Sequence, residues 1–294
     1  MNEDILKTVQ TIQIQLADIL LSFCKKNNLT IWAGYGTLLG AVRHKGFIPW
    51  DDDMDFVMLR KDYDQLKLLA SKSTLPFPFV FDCSRVDVIK LRNCNTTQIA
   101  TFKINNKENF GIWIDIWCLD SFNSEGVPDI YYNKIRRNLR LVTNASQMSY
   151  LSSNNCRLIM SHTFSLAYVG FWGHRIIYNR IEKLIKALGN DNSEMLVNIL
   201  LYSRLKKNIS YKCLKQYEKK WFSKTVYLEF EGRQIPCPVC YHDVLKAEYG
   251  DYMTPVKGSS VHETTILDVS RPYKQFVKEY MDNLPWYKRI LKMI

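Results

Sequence analysis

The chain has 294 residues, of which 47% are apolar and 23% are charged, and this composition excludes an intrinsically disordered protein and a mini-protein held together by disulfides. Lysine and arginine number 40 and aspartate and glutamate number 29, which gives a formal net charge of +11. This positive charge is compatible with nucleic acid, an anionic membrane or a phosphorylated substrate as a partner, and composition alone does not choose among the three.

The first predicted element is an amphipathic helix, because apolar residues recur at steps of three and four from Ile5 to Phe23. The pattern stops near Asn27. A short apolar run over 29–33 then predicts a strand. Packing of this helix against a core explains its apolar stripe.

Two glycines, Gly34 and Gly36, mark a turn between this strand and a second helix. Thr37 is predicted to cap that helix, which covers 38–44. The backbone amides of such a turn, together with the helix N-terminus, can hold phosphate. Gly36 and Thr37 are therefore candidate binding residues, although no Gly-Lys-Ser/Thr follows as it would in a P-loop.

Four aspartates fall within five positions after this helix: Asp51, Asp52, Asp53 and Asp55. Their alternation with apolar residues predicts a strand over 53–59, with Asp53 and Asp55 on one face. Carboxylates that face one way repel each other unless a cation lies between them, and their hard oxygens suit Mg²⁺ or Mn²⁺. We predict Asp51 as a further ligand and Asp52 as solvent-facing. The alternative is a solvated loop of turn aspartates.

One more aspartate, Asp115, lies in the middle of a predicted strand over 112–117. A carboxylate there is costly to bury without a partner. A metal ion shared with Asp53 and Asp55 explains its position, and a buried salt bridge is the alternative explanation.

The order of predicted helices and strands along the whole chain predicts an α/β (α+β) fold, in which flanking helices cover a mixed sheet. We expect a catalytic domain over 1–124 plus 225–294 and a largely helical insertion over 125–224. The other predicted elements are a helix containing Tyr63, Leu66 and Leu69, strands over 79–91 and 98–104, mostly helix over 130–205 with a turn at 189–192, a hairpin turning at Glu231-Gly232, and helices over 241–249 and 271–281.

The chain shows no pattern of a secretory signal and no apolar run long enough to span a membrane, so we expect a cytoplasmic location. Eight cysteines are scattered along the sequence, which is typical of reduced thiols. Cys237 and Cys240 form a lone CxxC, and we interpret them as packed thiols at a turn because a zinc site needs a second pair of ligands.

Four segments together resemble the LicD family of the nucleotidyltransferase superfamily. They are Tyr-Gly-Thr-Leu-Leu-Gly-Ala-Val-Arg-His (35–44), Phe-Ile-Pro-Trp-Asp-Asp-Asp-Met-Asp (47–55), Ile-Asp-Ile-Trp-Cys-Leu-Asp (114–120) and the stretch ending in Tyr-Gly-Asp-Tyr-Met (241–253). The family is named for bacterial phosphocholine transferases and includes the fukutin-type phosphotransferases. The resemblance covers roughly 15–120 and 225–265.

The resemblance implies a nucleotidyltransferase-like fold and a metal-dependent transfer of phosphocholine from CDP-choline to a glycan hydroxyl, which releases CMP. Asp53 and Asp55 would hold Mg²⁺ or Mn²⁺, and Asp115 would orient a metal or take the hydroxyl proton. The acceptor would be a cell-surface glycan precursor of lipopolysaccharide, teichoic acid or capsule, free or linked to lipid.

Three alternatives remain open at this point. Another CDP-alcohol, CDP-ribitol or CDP-glycerol, would serve the same metal site. A nucleotidyltransferase acting on RNA is compatible with the charge, but no recognisable RNA-binding module accompanies the site, so we do not expect nucleic acid as a partner. A membrane-associated binding protein with an inactive site would bind no metal.

Further candidate donor-binding residues are Arg43, Trp50 and His262. A guanidinium binds phosphate oxygens in bidentate fashion, and an indole either stacks on a base or packs beneath the acidic loop.

A basic tract is open to two interpretations, a solvated face or peripheral contact with an anionic membrane. It consists of Arg136, Arg137, Arg140, Lys206, Lys207, Lys212, Lys215, Lys219, Lys220 and Lys224.

Overall fold

A computed structural model describes residues 3–85, 88–100, 109–122, 129–146, 156–187, 193–200, 214–255 and 265–283. The α-helices in these ranges are α1 (Glu3–Lys26), α2 (Tyr35–His44), α3 (Arg60–Lys72), α4 (Asp129–Ser146), α5 (Cys156–Trp172), α6 (His174–Lys186), α7 (Tyr241–Tyr249) and α8 (Tyr273–Asp282). The strands are β1 (Trp32–Ala33), β2 (Asp55–Leu59), β3 (Phe79–Asp82), β4 (Ile89–Asn93), β5 (Thr97–Ala100), β6 (Ile112–Phe122), β7 (Met195–Val197), β8 (Gln216–Glu218), β9 (Thr225–Phe230), β10 (Arg233–Pro238) and β11 (Thr265–Asp268).

The central sheet is mixed and has the order β1-β2-β6-β4-β3. Strands β2 and β6 run parallel, whereas the pairs β1–β2, β4–β6 and β3–β4 are antiparallel. The far end of β6 pairs with β7, which pairs with β8. Helices flank this sheet, and this arrangement confirms the predicted α/β (α+β) class.

The main core lies between the sheet and helices α1, α2, α3 and α7. Leu16 and Leu20 of α1, Phe56 of β2 and Ile114 and Ile116 of β6 are all fully buried. Full burial of one such side chain contributes about 1.5–3 kcal/mol to folding. The helical periodicity of α1 and the apolar runs of β2 and β6 therefore place the acidic residues of this region on a rigid scaffold.

Helices α4, α5 and α6 share a second apolar cluster, which includes Tyr132, Ile135, Val169 and Ile181. Ion pairs join α6 to α3, and one of them is Lys186 Nζ to Asp64 Oδ2 at 2.9 Å. The cluster agrees with a largely helical middle region, whereas the division into 1–124 plus 225–294 and 125–224 stays a prediction.

Several boundaries differ from those predicted. Strand β1 has two residues and β2 begins at Asp55, so residues 51–54 form the segment that leads into the strand. The predicted strand 79–91 is wrong as one element, because β3 and β4 are separate antiparallel strands. The region 130–205 also contains a strand, β7. The predicted turn at 189–192 lies outside the described residues.

The helix α2 begins at Tyr35, and the prediction that Thr37 caps it is wrong. Gly34 occupies the capping position without a side-chain hydrogen bond. The hydroxyl of Thr37 is instead buried and accepts a hydrogen bond from the Asp55 N–H at 2.8 Å. The hydroxyl therefore satisfies the first backbone N–H of β2 instead of an amide of its own helix.

The pair Cys237 and Cys240 consists of free thiols, one buried and one partly buried. Burial raises the pKa of the Cys237 thiol to about 12, so this thiol is protonated and unreactive at neutral pH. The two residues lie at the end of β10 and before α7, as packed thiols at a turn would.

In the part of the chain that the structure describes, no helix is both long and apolar enough to cross a membrane. Arg137 and Arg140 of the predicted basic tract are exposed on α4, and Lys206, Lys207 and Lys212 lie outside the described residues.

Candidate active site

A cleft of about 380 Å³ opens between the start of α2, the segment before β2 and the turn after α7. Three of the four clustered aspartates line it, namely Asp51, Asp53 and Asp55. The other lining residues are Tyr35, Gly36, Leu39, Arg43, Ile48, Trp50, Tyr249, Asp251, Tyr252 and Thr254. The cleft therefore combines carboxylates, one guanidinium and several aromatic rings.

Hydrogen bonds to the backbone and side chain of Asp55 hold this residue in place. Its carbonyl oxygen accepts a hydrogen bond from the Gly34 N–H at 2.9 Å, and its own N–H donates to Thr37. The Trp117 Nε1–H donates to the Asp55 carboxylate at 2.7 Å. The start of α2 and the neighbouring strand β6 therefore fix the position of this carboxylate.

The carboxylate of Asp51 lies so close to α2 that a side chain at Gly36 would displace it. A methyl group added at Gly36 would lie 2.7 Å from Asp51 Oδ2. The Asp51 carbonyl accepts a hydrogen bond from Gln10 Nε2 at 2.9 Å, which ties this segment to α1. Gly36 thus leaves room for the Asp51 carboxylate, and its predicted phosphate-binding role stays a prediction.

The prediction that Asp52 faces solvent is wrong, because the residue is only 7% exposed. Its carbonyl accepts a hydrogen bond from the buried Gln13 Nε2 at 2.7 Å. Helix α1 covers this part of the segment, and that contact joins residues far apart in the sequence. Asp52 is not among the residues that line the cleft.

The cleft carboxylates repel each other strongly. Burial and the neighbouring charge of Asp53 raise the pKa of Asp51 to about 8. Burial, Asp53 and Asp115 likewise raise the pKa of Asp55 well above its usual range. A divalent cation would relieve this repulsion, and carboxylate oxygens are the ligands that Mg²⁺ and Mn²⁺ prefer, so Asp51, Asp53 and Asp55 fit such an ion by their chemistry.

Among the described residues, no three histidine, cysteine, aspartate or glutamate side chains already enclose a metal position. The cleft aspartates would therefore have to converge on an ion as it binds. The metal-ligand roles of Asp51, Asp53, Asp55 and Asp115 accordingly stay predictions.

The stability of the metal-free protein is expected to fall as the pH rises from about 4 to about 8. The raised pKa of Asp51 means that the folded state binds a proton more tightly than the unfolded state, and this advantage is lost as the pH passes through the pKa of the folded state. Urea unfolding across this range, in the presence of a chelator, measures the slope of the unfolding free energy against pH. Asp51→Asn should flatten it, and an unchanged slope in that variant would contradict the raised pKa.

Asp115 lies directly beside Asp55 in the register of the parallel strands β2 and β6. Its carboxylate accepts hydrogen bonds from Lys90 Nζ and from the Trp113 Nε1–H, the latter at 3.2 Å. The alternative considered from the sequence, a buried salt bridge, is thus present. This ion pair holds the Asp115 carboxylate in one orientation, and its role in catalysis stays a prediction.

Sequence reasoning missed Lys90, the partner of Asp115 on β4. Lys90 is buried and its ammonium lies 4.3 Å from the centre of the Trp113 ring. Burial lowers the pKa of Lys90 to about 8. The available signal was the alternation of Lys90 and Arg92 with apolar residues in a predicted strand, which places two cations on one face of the sheet.

The other predicted donor-binding residues lie in different places. Arg43 lines the cleft and donates from Nη1 to the Tyr252 carbonyl at 3.0 Å. Trp50 lines the cleft and also packs against the main core. His262 lies outside the described residues. The structure therefore brings Arg43 and Trp50 to the aspartates, as predicted, and the binding roles of all three stay predictions.

Replacing Gly36 with alanine should lower the catalytic rate about a hundredfold, because moving a catalytic group by about 1 Å lowers the rate by about this factor. The added methyl would push the Asp51 carboxylate away, while alanine is the better residue within a helix. Steady-state rates and thermal unfolding measure the two effects. The matched control is Gly170→Ala on α5, where an added methyl contacts nothing within 4 Å. Equal rates for both variants would contradict the prediction.

Comparison with known proteins gives one family match and several individual relatives. A family model described as LicD/FKTN/FKRP, nucleotidyltransferase domain, matches residues 28–176, about half of the chain. The lipopolysaccharide cholinephosphotransferase LicD of Haemophilus influenzae is 28% identical over 257 residues, which is 84% of this chain and 91% of that protein. An uncharacterized protein of Rickettsia prowazekii is 32% identical over 98 residues, which is 33% of this chain and 35% of that protein. The family match covers the elements from β1 to α5 and so includes Asp115 and the cleft aspartates.

Proposed function

Because the chain belongs to the LicD family, we propose that it is a phosphotransferase that moves phosphocholine from CDP-choline to a hydroxyl group of a glycan precursor of the cell surface, with release of CMP. The observation that carries this proposal is the similarity to a lipopolysaccharide cholinephosphotransferase over 84% of the chain. Lipopolysaccharide is therefore the first acceptor to test. A cytoplasmic location remains our expectation from the sequence.

The carboxylates of the cleft support metal dependence. Asp51, Asp53 and Asp55 would hold Mg²⁺ or Mn²⁺, and the ion would neutralise charge on the diphosphate of the donor. Arg43, which lines the same cleft, is suited to bind a phosphate oxygen. The net charge of +11 attracts an anionic nucleotide towards a site that is itself acidic.

Transfer requires the acceptor hydroxyl to attack the phosphorus that carries choline. The new phosphorus–oxygen bond forms as the bond to CMP breaks, and the hydroxyl proton has to leave. Asp115 is the proposed acceptor of this proton, with Lys90 and Trp113 holding its carboxylate in place. Trp117 orients the Asp55 carboxylate by the hydrogen bond from its indole.

The test is the release of CMP by purified protein supplied with Mg²⁺, CDP-choline and lipopolysaccharide. We expect release only when donor, acceptor and metal are all present, and a chelator should abolish it. CDP-ribitol and CDP-glycerol are tested in parallel as alternative donors. Each donor is assayed with precursors of lipopolysaccharide, teichoic acid and capsule as acceptors. Release of CMP only from CDP-ribitol or CDP-glycerol would contradict the proposed donor, and release from none of the three would contradict the proposed transfer reaction.

A further inference from the structure

Helix α5 exposes a row of large apolar side chains. Met160, Phe164 and Phe171 are 71%, 64% and 82% exposed, and their spacing along the helix places them on one side. At the end of α5 the Trp172 ring lies 5.3 Å from the Phe171 ring, and Ile176 follows on α6; these two residues are 47% and 55% exposed. We call these five residues the α5 face.

The opposite side of α5 already packs against the protein. Ser165 and Val169 are buried there, and Val169 belongs to the apolar cluster of α4, α5 and α6. Helix α5 is thus apolar on both sides, although only one side contributes to folding. A contiguous exposed apolar surface of this kind marks an interaction site.

The charges next to the α5 face are basic. Arg180 and Lys183 follow Ile176 at steps of four and three on α6, and both are exposed. The sequence of α5 contains no acidic residue. The single acidic residue of α6, Glu182, forms an ion pair with Lys67 of α3 and so faces away from this surface.

We propose that the α5 face, bordered by Arg180 and Lys183, binds an anionic lipid surface. Exposed phenylalanine and tryptophan next to lysine and arginine are typical of helices that lie in a membrane interface, where the rings enter the headgroup region and the cations contact lipid phosphates. A second copy of the chain is the poorer occupant, because a twofold pairing through this face would bring the same cations together. The proposal does not depend on the proposed transferase activity.

The experiment is sedimentation of the full chain with vesicles of phosphatidylcholine alone or of phosphatidylcholine mixed with phosphatidylglycerol. We expect binding to the mixed vesicles, weakened by salt, and much weaker binding to the neutral ones. The double variant Phe164→Ser/Phe171→Ser should bind the mixed vesicles at least about tenfold more weakly. Its matched control is Tyr227→Ser, which removes another exposed ring, 64% exposed, on the β9 strand.

A second variant separates the charge from the apolar surface. Arg180→Glu/Lys183→Glu should weaken binding about fivefold or more for each residue, and Lys61→Glu on α3 serves as the control for a surface charge. Thermal unfolding of every variant checks that it is folded.

Three results would overturn the proposal. The first is equal binding of the wild type to neutral and anionic vesicles, and the second is unchanged binding of the phenylalanine variant. The third is a wild type that binds no vesicles and forms a dimer in sedimentation velocity, where the phenylalanine variant is a monomer. The last result would assign the face to a second copy of the chain.

Discussion

Replacing Asp55 with asparagine is expected to lower the rate of CMP release at least about a thousandfold and at the same time to stabilise the metal-free protein. The loss of activity follows because an amide is a weaker ligand for Mg²⁺ than a carboxylate, so the ion that would neutralise the diphosphate of the donor is held less tightly. The gain in stability follows because burial and the carboxylates of Asp53 and Asp115 raise the pKa of Asp55, so its negative charge opposes folding.

Asparagine keeps the shape of the side chain, and its carbonyl oxygen still accepts the hydrogen bond from the Trp117 indole. The two effects therefore arise from charge and not from a cavity. Steady-state rates measure the first effect, and urea unfolding in a chelating buffer at neutral pH measures the second. We expect a gain in unfolding free energy, because the variant removes a buried carboxylate that its neighbours repel.

The matched control is Asp18→Asn on α1, because Asp18 is half exposed and forms a surface ion pair with Arg233. Surface pairs contribute about 0–1 kcal/mol, so this variant should keep both rate and stability. Addition of Mg²⁺ should raise the melting temperature of the wild type and have little effect on Asp55→Asn. A fully active Asp55→Asn protein would contradict the assigned site, and a destabilised one would contradict the repulsion among the carboxylates.

Local sequence patterns were sufficient to predict the helices and the hairpin whose signals lie within a single continuous segment. Helix α1 follows from apolar spacing, and α7 follows from the helical run that stops at Gly250. The hairpin β9–β10 follows from Glu231-Gly232, because both residues adopt positive φ angles of 50° and 71° and glycine tolerates such an angle. The family resemblance was likewise carried by contiguous motifs.

Contacts between distant segments were not predictable in the same way. The pairing of Lys90 with Asp115 depends on β4 lying next to β6, and the sequence does not state the order of the strands. Asp52 is buried because Gln13 of α1 reaches its carbonyl. Thr37 bonds to the backbone of Asp55 and not to its own helix because β2 comes close to α2. In each case a tertiary contact determined the position of the residue, and the local sequence alone predicted a different one.

The largest expected loss of stability comes from a residue outside the cleft, Arg60 at the start of α3. Its guanidinium donates to Asp120 on β6 at 2.8 Å and to Asp64 on its own helix at 3.0 Å. Asp120 is only 4% exposed, and burial raises the pKa of its carboxyl while Arg60 opposes that rise. Asp64 also pairs with Lys186 of α6, so this network connects the sheet with the helical region.

Arg60→Met should therefore lower the unfolding free energy by about 3–5 kcal/mol, because it leaves the buried Asp120 carboxylate without its cation. The double variant Arg60→Met/Asp120→Leu should recover most of this loss, since an apolar pair of similar volume needs no charge compensation. The matched control is Arg233→Met, whose partner Asp18 is half exposed, and there we expect a loss below about 1 kcal/mol. Urea unfolding of the four proteins measures all of these values. Equal losses for Arg60→Met and Arg233→Met would mean that water compensates the Asp120 charge, whereas a large loss that the double variant recovers would show that the cost arises from an unpaired buried carboxylate and not from the loss of a contact between α3 and β6.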